Sequence, residues 1–125
     1  MAGLARLKRR PEFLAVAASR RRWVAPGLIL QAARRPEDSE LPLAPRIGFT
    51  ASRKVGIAVV RNRARRRLKA AAEQVLPRCG APGFDYVAIA RTETVSRNFA
   101  ELVADMTMAM ERLNAKAGAA TAGAA

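Results

Sequence analysis

The stretch Ser52-Arg53-Lys54-Val55-Gly56-Ile57-Ala58-Val59-Val60-Arg61-Asn62-Arg63-Ala64-Arg65-Arg66-Arg67-Leu68 opens the strongest helical pattern in the chain. At 100° per residue, Val60, Ala64, Leu68, Ala71 and Val75 fall within one stripe about 80° wide. The spacing predicts a helix over residues 57–76, ended by Pro77. On the same wheel Arg61, Asn62, Arg65, Arg66 and Lys69 spread along the adjoining polar side, and Arg63 and Arg67 flank the apolar stripe on the other. One face packs and the rest is basic.

Upstream, Arg6, Lys8, Arg9 and Arg10 form a basic run, and Pro11 and Glu12 then open a short helix containing Phe13, Leu14, Val16 and Ala17. Proline in the first turn and an acid near the N-terminus both favour a helix start, and Arg20, Arg21 and Arg22 close the segment. Trp23 and Val24, a Pro26-Gly27 break, and Leu28 to Leu30 read as strand. Residues 35–45, with three prolines and three acids, read as an exposed connection to a second strand over 46–50, giving a hairpin with a long loop. Downstream, Gly80, Pro82 and Gly83 make a turn before a buried strand over 86–90. Phe99, Leu102, Val103, Met106, Met110 and Leu113 then recur at helical spacing, with Ser96 or Asn98 as N-cap. From Ala115 the composition lacks core-forming residues and predicts a frayed or disordered tail. There is no internal repeat. The expected organisation is one domain over residues 1–114 and a tail over 115–125. The element order predicts an α+β sandwich, one antiparallel or mixed sheet with helices on one face and the other face free to bind.

The charge points to a polyanionic partner. In 125 residues, 23 Lys plus Arg stand against 10 Asp plus Glu, and with no histidine the net charge is +13. A domain tolerates such self-repulsion when a polyanion offsets it, and phosphate neutralisation with counterion release makes nucleic acid the leading candidate. Arginine outnumbers lysine, as suits bidentate phosphate contacts. No acid occurs between Leu41 and Ala72, a stretch holding Arg46, Arg53, Lys54, Arg61, Arg63, Arg65, Arg66, Arg67 and Lys69. The acids expected at i+4 on a merely solvated basic helix are missing until Glu73. Without histidine, Ser-His-Asp, Cys-His and His-rich metal sites are excluded. Cys79 stands alone, so no intramolecular disulfide or thiolate metal cluster forms. The lack of a long apolar span and of a signal-peptide core predicts a cytoplasmic protein.

The Ser52–Leu68 motif closely resembles the signature of the bacterial ribonuclease P protein family: a Ser, two basic residues and a Gly, then an Ala-Val pair and an Arg-Asn-Arg core. Arg6-Leu7-Lys8 with Phe13 and Val16, and Asp85-Tyr86-Val87 leading to Ile89-Ala90-Arg91, extend the likeness over roughly residues 5–113. The resemblance implies a two-layer α+β sandwich of a roughly four-stranded mixed sheet with three helices, ribosomal protein S5 domain 2-like, containing a left-handed β-α-β crossover. That hand breaks a rule obeyed in about 98% of cases, and nothing in the sequence specifies it. It also implies a non-catalytic protein subunit, monomeric alone and without a membrane role. Such a subunit binds a catalytic RNA and helps it remove the 5′ leader from precursor tRNA, with Mg²⁺ held mainly by the RNA. Arg61, Asn62, Arg63, Arg65, Arg66 and Lys69 carry over as contacts to the catalytic RNA. Asn62 serves there to hold backbone or a hydrated metal, or else makes a helix-start hydrogen bond, and Arg67 snorkels beside the packed stripe. Phe13, Arg53 and Lys54 match positions in a leader cleft between the sheet and the first helix. Core packing is the alternative for Phe13, and Trp23 is read as structural. Ala17 and Gln31 depart from the pattern, standing where relatives often have aromatics, which weakens the expected leader stacking.

Three other readings compete. One is a ribosomal protein or RNA chaperone of similar architecture. Another is a DNA-binding module using the 57–76 helix. The third is a binder of anionic membranes, which requires exposed apolar residues beside the charges.

Overall fold

The computed structural model describes residues 4–124, with side chains described to Ala117. In chain order the elements are α1 (Arg10–Ala18), β1 (Arg22–Val24), β2 (Leu28–Arg34), β3 (Arg46–Thr50), α2 (Ala58–Cys79), β4 (Phe84–Ala90) and α3 (Phe99–Ala124). Short 3-10 turns over Arg53–Val55 and Thr92–Thr94 precede the two long helices. α1 starts as its sequence dictates. Pro11 occupies the first turn, and the Glu12 carboxylate accepts the amides of Lys8 at 2.8 Å and Arg9 at 2.9 Å, satisfying donors the helix start leaves unpaired. Of the two N-caps expected for the last helix, Asn98 serves: its Oδ1 accepts the Glu101 amide at 3.2 Å.

The sheet has the order β1-β2-β4-β3. β1 and β2 form a tight antiparallel hairpin through Pro26-Gly27, closed by the Ala25 amide on Leu28 O at 2.9 Å. β2 pairs antiparallel with β4 along its whole length, and β3 pairs parallel with β4 from Arg46↔Asp85 to Thr50↔Ile89. The long-loop hairpin expected between residues 28–30 and 46–50 is therefore corrected, since β4 lies between those strands. Sequence neighbours usually pair, but here both strands find more ladder on β4. β3, α2 and β4 make a parallel β-α-β unit. On the outer side of β3, Leu7 N donates to Ile47 O at 3.1 Å and Ile47 N to Ala5 O at 2.9 Å, so the N-terminal segment covers that edge.

α2 and α3 pack together on one sheet face. Their Ala64, Leu68, Val75, Leu102, Met106 and Met110 close over Leu28, Leu30, Ile47, Phe49, Tyr86 and Ala88, and burial of each large side chain supplies about 1.5–3 kcal/mol before entropy. The Tyr86 hydroxyl accepts the Ala81 amide at 2.9 Å and donates to Asn114 Oδ1 at 2.6 Å, while Asn114 Nδ2 donates to Cys79 O at 2.6 Å. The end of α2, β4 and α3 are thereby tied at one point. Trp23 packs against this core under the Arg112 and Lys116 cations at 5.9 and 5.7 Å, a structural role as read from sequence.

The expectation that all helices share one face is corrected by α1. It lies across the opposite face, where Val16 and Phe13 meet Leu7, Val87, Ala33 and Ile89 in a second small core. The remainder of that face is open. Gly48 permits the crossing: a Cβ there would stand 2.4 and 2.5 Å from the Phe13 ring.

α2 also runs past its expected end. Pro77 sits inside the last turn. Proline removes its own amide and clashes with the carbonyl four residues back, yet it leaves later residues free to stay helical, and here Arg78 Nε donates to Gln74 O at 3.0 Å while the Gly80 amide closes on Leu76 O at 2.8 Å. Likewise α3 continues helical through Ala115, Lys116 and Ala117, residues assigned by sequence to the tail, and Ala117 is buried in the main core.

The connection over residues 35–45 is anchored at its root. Arg35 was expected to be exposed, but it is buried, donating to Phe84 O, Asp85 Oδ1, Pro42 O and Ala44 O at 3.1, 2.6, 2.7 and 3.0 Å. Arg46 completes the cluster, reaching Asp85 at 2.9 and 2.8 Å and Glu12 at 2.7 Å. Hydrogen bonding to Asp85, foremost, raises the Arg46 pKa. The Arg9 and Lys8 amides, with Arg46, lower Glu12 to about 2.

Candidate nucleic-acid interface

Because α2 buries Ala64, Leu68, Ala71, Ala72, Val75 and Leu76, its remaining faces turn outward with their arginines. Asn62, Arg65, Arg66 and Lys69 line a shallow basin of about 370 Å³ together with Arg6 and Phe49. Arg6 is an addition that the sequence reading placed only in an N-terminal basic run. The strand-like pairing of residues 5–7 with Ile47 brings it over the Phe49 ring, its guanidinium carbon 4.8 Å from the centroid. Asn62 makes no helix-start bond; its Oδ1 accepts from Arg65 Nη2. Arg61 is half-buried beside the basin residues on the helix, and its Nε has no partner among the described residues. Arg63 is exposed on the other flank. Among the described residues, ion pairs engage only Arg35, Arg46 and Arg97, so every cation on α2 is left without a carboxylate.

Arg67 is different. Its Nε donates to Thr94 O at 3.0 Å, its Nη2 donates to Arg97 O, and its guanidinium lies 5.9 Å from the Phe99 ring. It holds the turn before α3 in place, more than the snorkelling expected of it.

On the other sheet face, α1 covers part of the strands and stands as a wall beside the strand surface left open, a shallow trough. Strand alternation puts Val24 on β1, Ile29 and Gln31 on β2, Val87 and Ile89 on β4, and Thr50 on β3 along its floor. Phe13 forms part of the wall. It is half-buried and seated on Gly48, so the ring both packs and shows a surface. Ala17 is exposed on α1 and Gln31 half-buried on the floor, leaving Phe13 as the aromatic of this face. Arg53 and Lys54 are exposed on the turn that follows β3. They share the sheet end of Thr50 and Ile89 and make no hydrogen bond or ring contact with Phe13. Ile57 and Val59, 73% and 70% exposed, stand at the start of α2 close in sequence to these charges. Leu68 and Val75 are spent in the core, and no helix among the described residues is long and apolar enough to cross a membrane.

The fold and the cationic surface without ion pairs define a basic α+β domain whose exposed charge suits a polyanionic partner. The family model described as Ribonuclease P matches residues 1–114, and the chain belongs to the ribonuclease P protein family. It is similar to the ribonuclease P protein component of Paramagnetospirillum magneticum, 51% identical over 114 residues that cover 91% of this chain and 86% of that one. It is also similar to the component of Ruegeria pomeroyi, at 46% identity covering 90% and 89%. In fold it is similar to the ribonuclease P protein of Thermotoga maritima, with a TM-score of 0.69 at 20% identity over 86% of this chain and 96% of that one. The four-stranded mixed sheet with three helices agrees with the fold implied by the sequence motif.

Proposed function

We propose that this chain is the protein subunit of ribonuclease P, binding the catalytic RNA through α2 and Arg6 and the 5′ leader of precursor tRNA in the trough beside α1. Family membership supports the subunit assignment over a ribosomal protein or RNA chaperone. The observation that carries the RNA contact is the strip of α2 cations without carboxylate partners, Arg61, Arg63, Arg65, Arg66 and Lys69. Guanidinium forks there meet phosphates and 2′-hydroxyls, while Arg65 occupies Oδ1 of the exposed Asn62, whose amide N–H groups are the donors it offers to RNA.

The leader lies against Phe13, with Arg53 and Lys54 pairing its backbone at the sheet end. One ring gives one stacking platform, worth about 1–3 kcal/mol per base, and the aliphatic floor supplies the remaining contact.

In this account the active site is on the RNA. The basin residues do not fit a protein-held Mg²⁺: four cations line it, no carboxylate does, and Asn62 Oδ1 is occupied by Arg65. The Mg²⁺ of the holoenzyme is accordingly assigned mainly to the RNA, and the chain positions leader and catalytic RNA relative to each other. The remaining assignments are a cytoplasmic location and a monomer before assembly.

The test is binding of the protein to ribonuclease P RNA in competition with ribosomal RNA and duplex DNA, across a salt series. The reading predicts preference for ribonuclease P RNA and a steep salt slope. It also predicts that Arg65→Glu/Arg66→Glu weakens this binding while the melting temperature stays within a few degrees. Equal affinity for all competitors would return the chain to generic RNA binding, and a folding loss with unchanged affinity would remove α2 as the contact.

A further inference from the structure

The turn between α1 and β1 is strongly basic and belongs to neither the α2 face nor the trough. Arg20 and Arg21 follow one another there, both exposed, and Arg22 opens β1 directly after them. Arg20 has a φ of 58°, the one positive value outside glycine among the described residues, in a region where a bulky side chain is strained. Ser19 holds the turn in that shape. Its hydroxyl lies 2.7 Å from both Val16 O and Ala32 O, donating to one at a time, and accepts the Arg21 amide at 3.2 Å.

Beside this turn opens a basin of about 400 Å³ lined by Ala15, Ser19, Arg21, Ala33 and Arg34. On the α1 wheel, Ala15 and Ser19 stand roughly opposite Leu14 and Ala17, so the basin occupies the flank away from the trough. Arg34 stands at the rim of this basin, on the strand face opposite Ala33, with its guanidinium 5.2 Å from the Phe84 ring centroid, an arrangement that orients the cation without neutralising it. Neither Arg21 nor Arg34 has an ion pair among the described residues; Glu37 lines a neighbouring hollow with Arg34 without pairing to it. Asp85, the register partner of Ala33, is held by Arg35 and Arg46, and Glu12 by Arg46.

We propose that this basin is a second site for RNA backbone phosphates, in which Arg21 and Arg34 grip the chain from two sides. Two guanidiniums and a hydroxyl-pinned turn, with no aromatic lining, suit phosphate rather than a stacked base. The proposal rests on the ribonuclease P reading, and two RNAs carry the same chemistry: the 5′ part of a long leader that has left the trough, and an outlying stretch of the catalytic RNA.

The experiment uses reconstituted holoenzyme with wild-type protein or Arg21→Gln/Arg34→Gln. Affinity is measured for precursor tRNA with a leader ending in the trough, for the same tRNA with an extended leader, and for the protein with ribonuclease P RNA. The expected result is about tenfold weaker binding of the extended leader alone, with a salt slope shallower by about 1.4, since each single-strand phosphate contact contributes about 0.7. A comparable loss confined to ribonuclease P RNA supports the site and assigns it to that RNA. Unchanged affinity in all three overturns it. Replacing successive leader phosphates by neutral methylphosphonates, with wild-type protein, repeats the test without any protein substitution: weakening beyond the trough supports the leader as occupant, and a flat scan excludes it. Failure of the wild-type protein to bind ribonuclease P RNA or any leader would overturn the ribonuclease P reading itself, a result distinct from a silent double variant.

Discussion

Asp85→Asn is expected to be among the most destabilising single charge removals in the molecule. The Asp85 carboxylate receives Arg35 at 2.6 Å and Arg46 at 2.8 Å, with side-chain exposures of 10%, 6% and 18% respectively. After the substitution Arg46 keeps Glu12, while Arg35 keeps only the carbonyls of Phe84, Pro42 and Ala44, which orient its charge without neutralising it. Breaking one partner from a buried pair costs about 3–5 kcal/mol. The surviving bonds place this case at the lower end, about 3 kcal/mol, or a fall of about 12 °C in melting temperature at roughly 4 °C per kcal/mol for a domain of this size. Urea and thermal denaturation followed by circular dichroism measure it. The connection over 36–45 is tied through Arg35, so its amides should exchange faster in the variant. A change below about 0.5 kcal/mol, typical of an ordinary surface site, would refute the claim that this cluster anchors the connection.

Other substitutions separate packing from RNA contact. Glu12→Gln should cost about 1 kcal/mol at neutral pH, a figure discounted because the side chain is 26% exposed. The folded pKa of Glu12 is depressed from 4.5 to about 2, so this stability is present above about pH 4.5 and disappears as pH falls toward 2; parallel wild-type and variant pH profiles would contradict it. Arg67→Met should lower stability by about 1–3 kcal/mol through the lost carbonyl bonds and leave RNA affinity nearly unchanged, the reverse of the Arg65/Arg66 pattern, as melting and binding measured together will show. Gly48→Ala should displace the Phe13 ring, costing about 1–3 kcal/mol by overpacking and weakening leader binding; retention of both would show that the ring has room to move.

Much of this was legible in the sequence because it is local. The stripe Val60, Ala64, Leu68, Ala71, Val75 sets the buried face of α2 through a period internal to the helix, and the cations follow by exclusion. Proline and Glu12 mark the start of α1, and Asn98 that of α3, by bonds within four residues. What the sequence hid is non-local. Nothing in Leu28–Arg34 or Arg46–Thr50 encodes that the strand Phe84–Ala90 lies between them, and α1 reveals its face only through Gly48 beneath Phe13. Arg6 joins the α2 basin through an edge pairing with Ile47, a contact no periodicity signals. Arg67 and Arg66 look alike in sequence, and only the carbonyls of Thr94 and Arg97 separate a structural arginine from a free one.

The most direct test of the account is cleavage of a precursor tRNA by its cognate ribonuclease P RNA at low Mg²⁺, with and without this protein. The account predicts efficient release of the 5′ leader only when RNA and protein are both present. It also predicts loss of that stimulation in Arg65→Glu/Arg66→Glu protein that remains folded. Equal cleavage with and without the protein would contradict the subunit assignment, and full stimulation by the folded double variant would contradict the α2 interface.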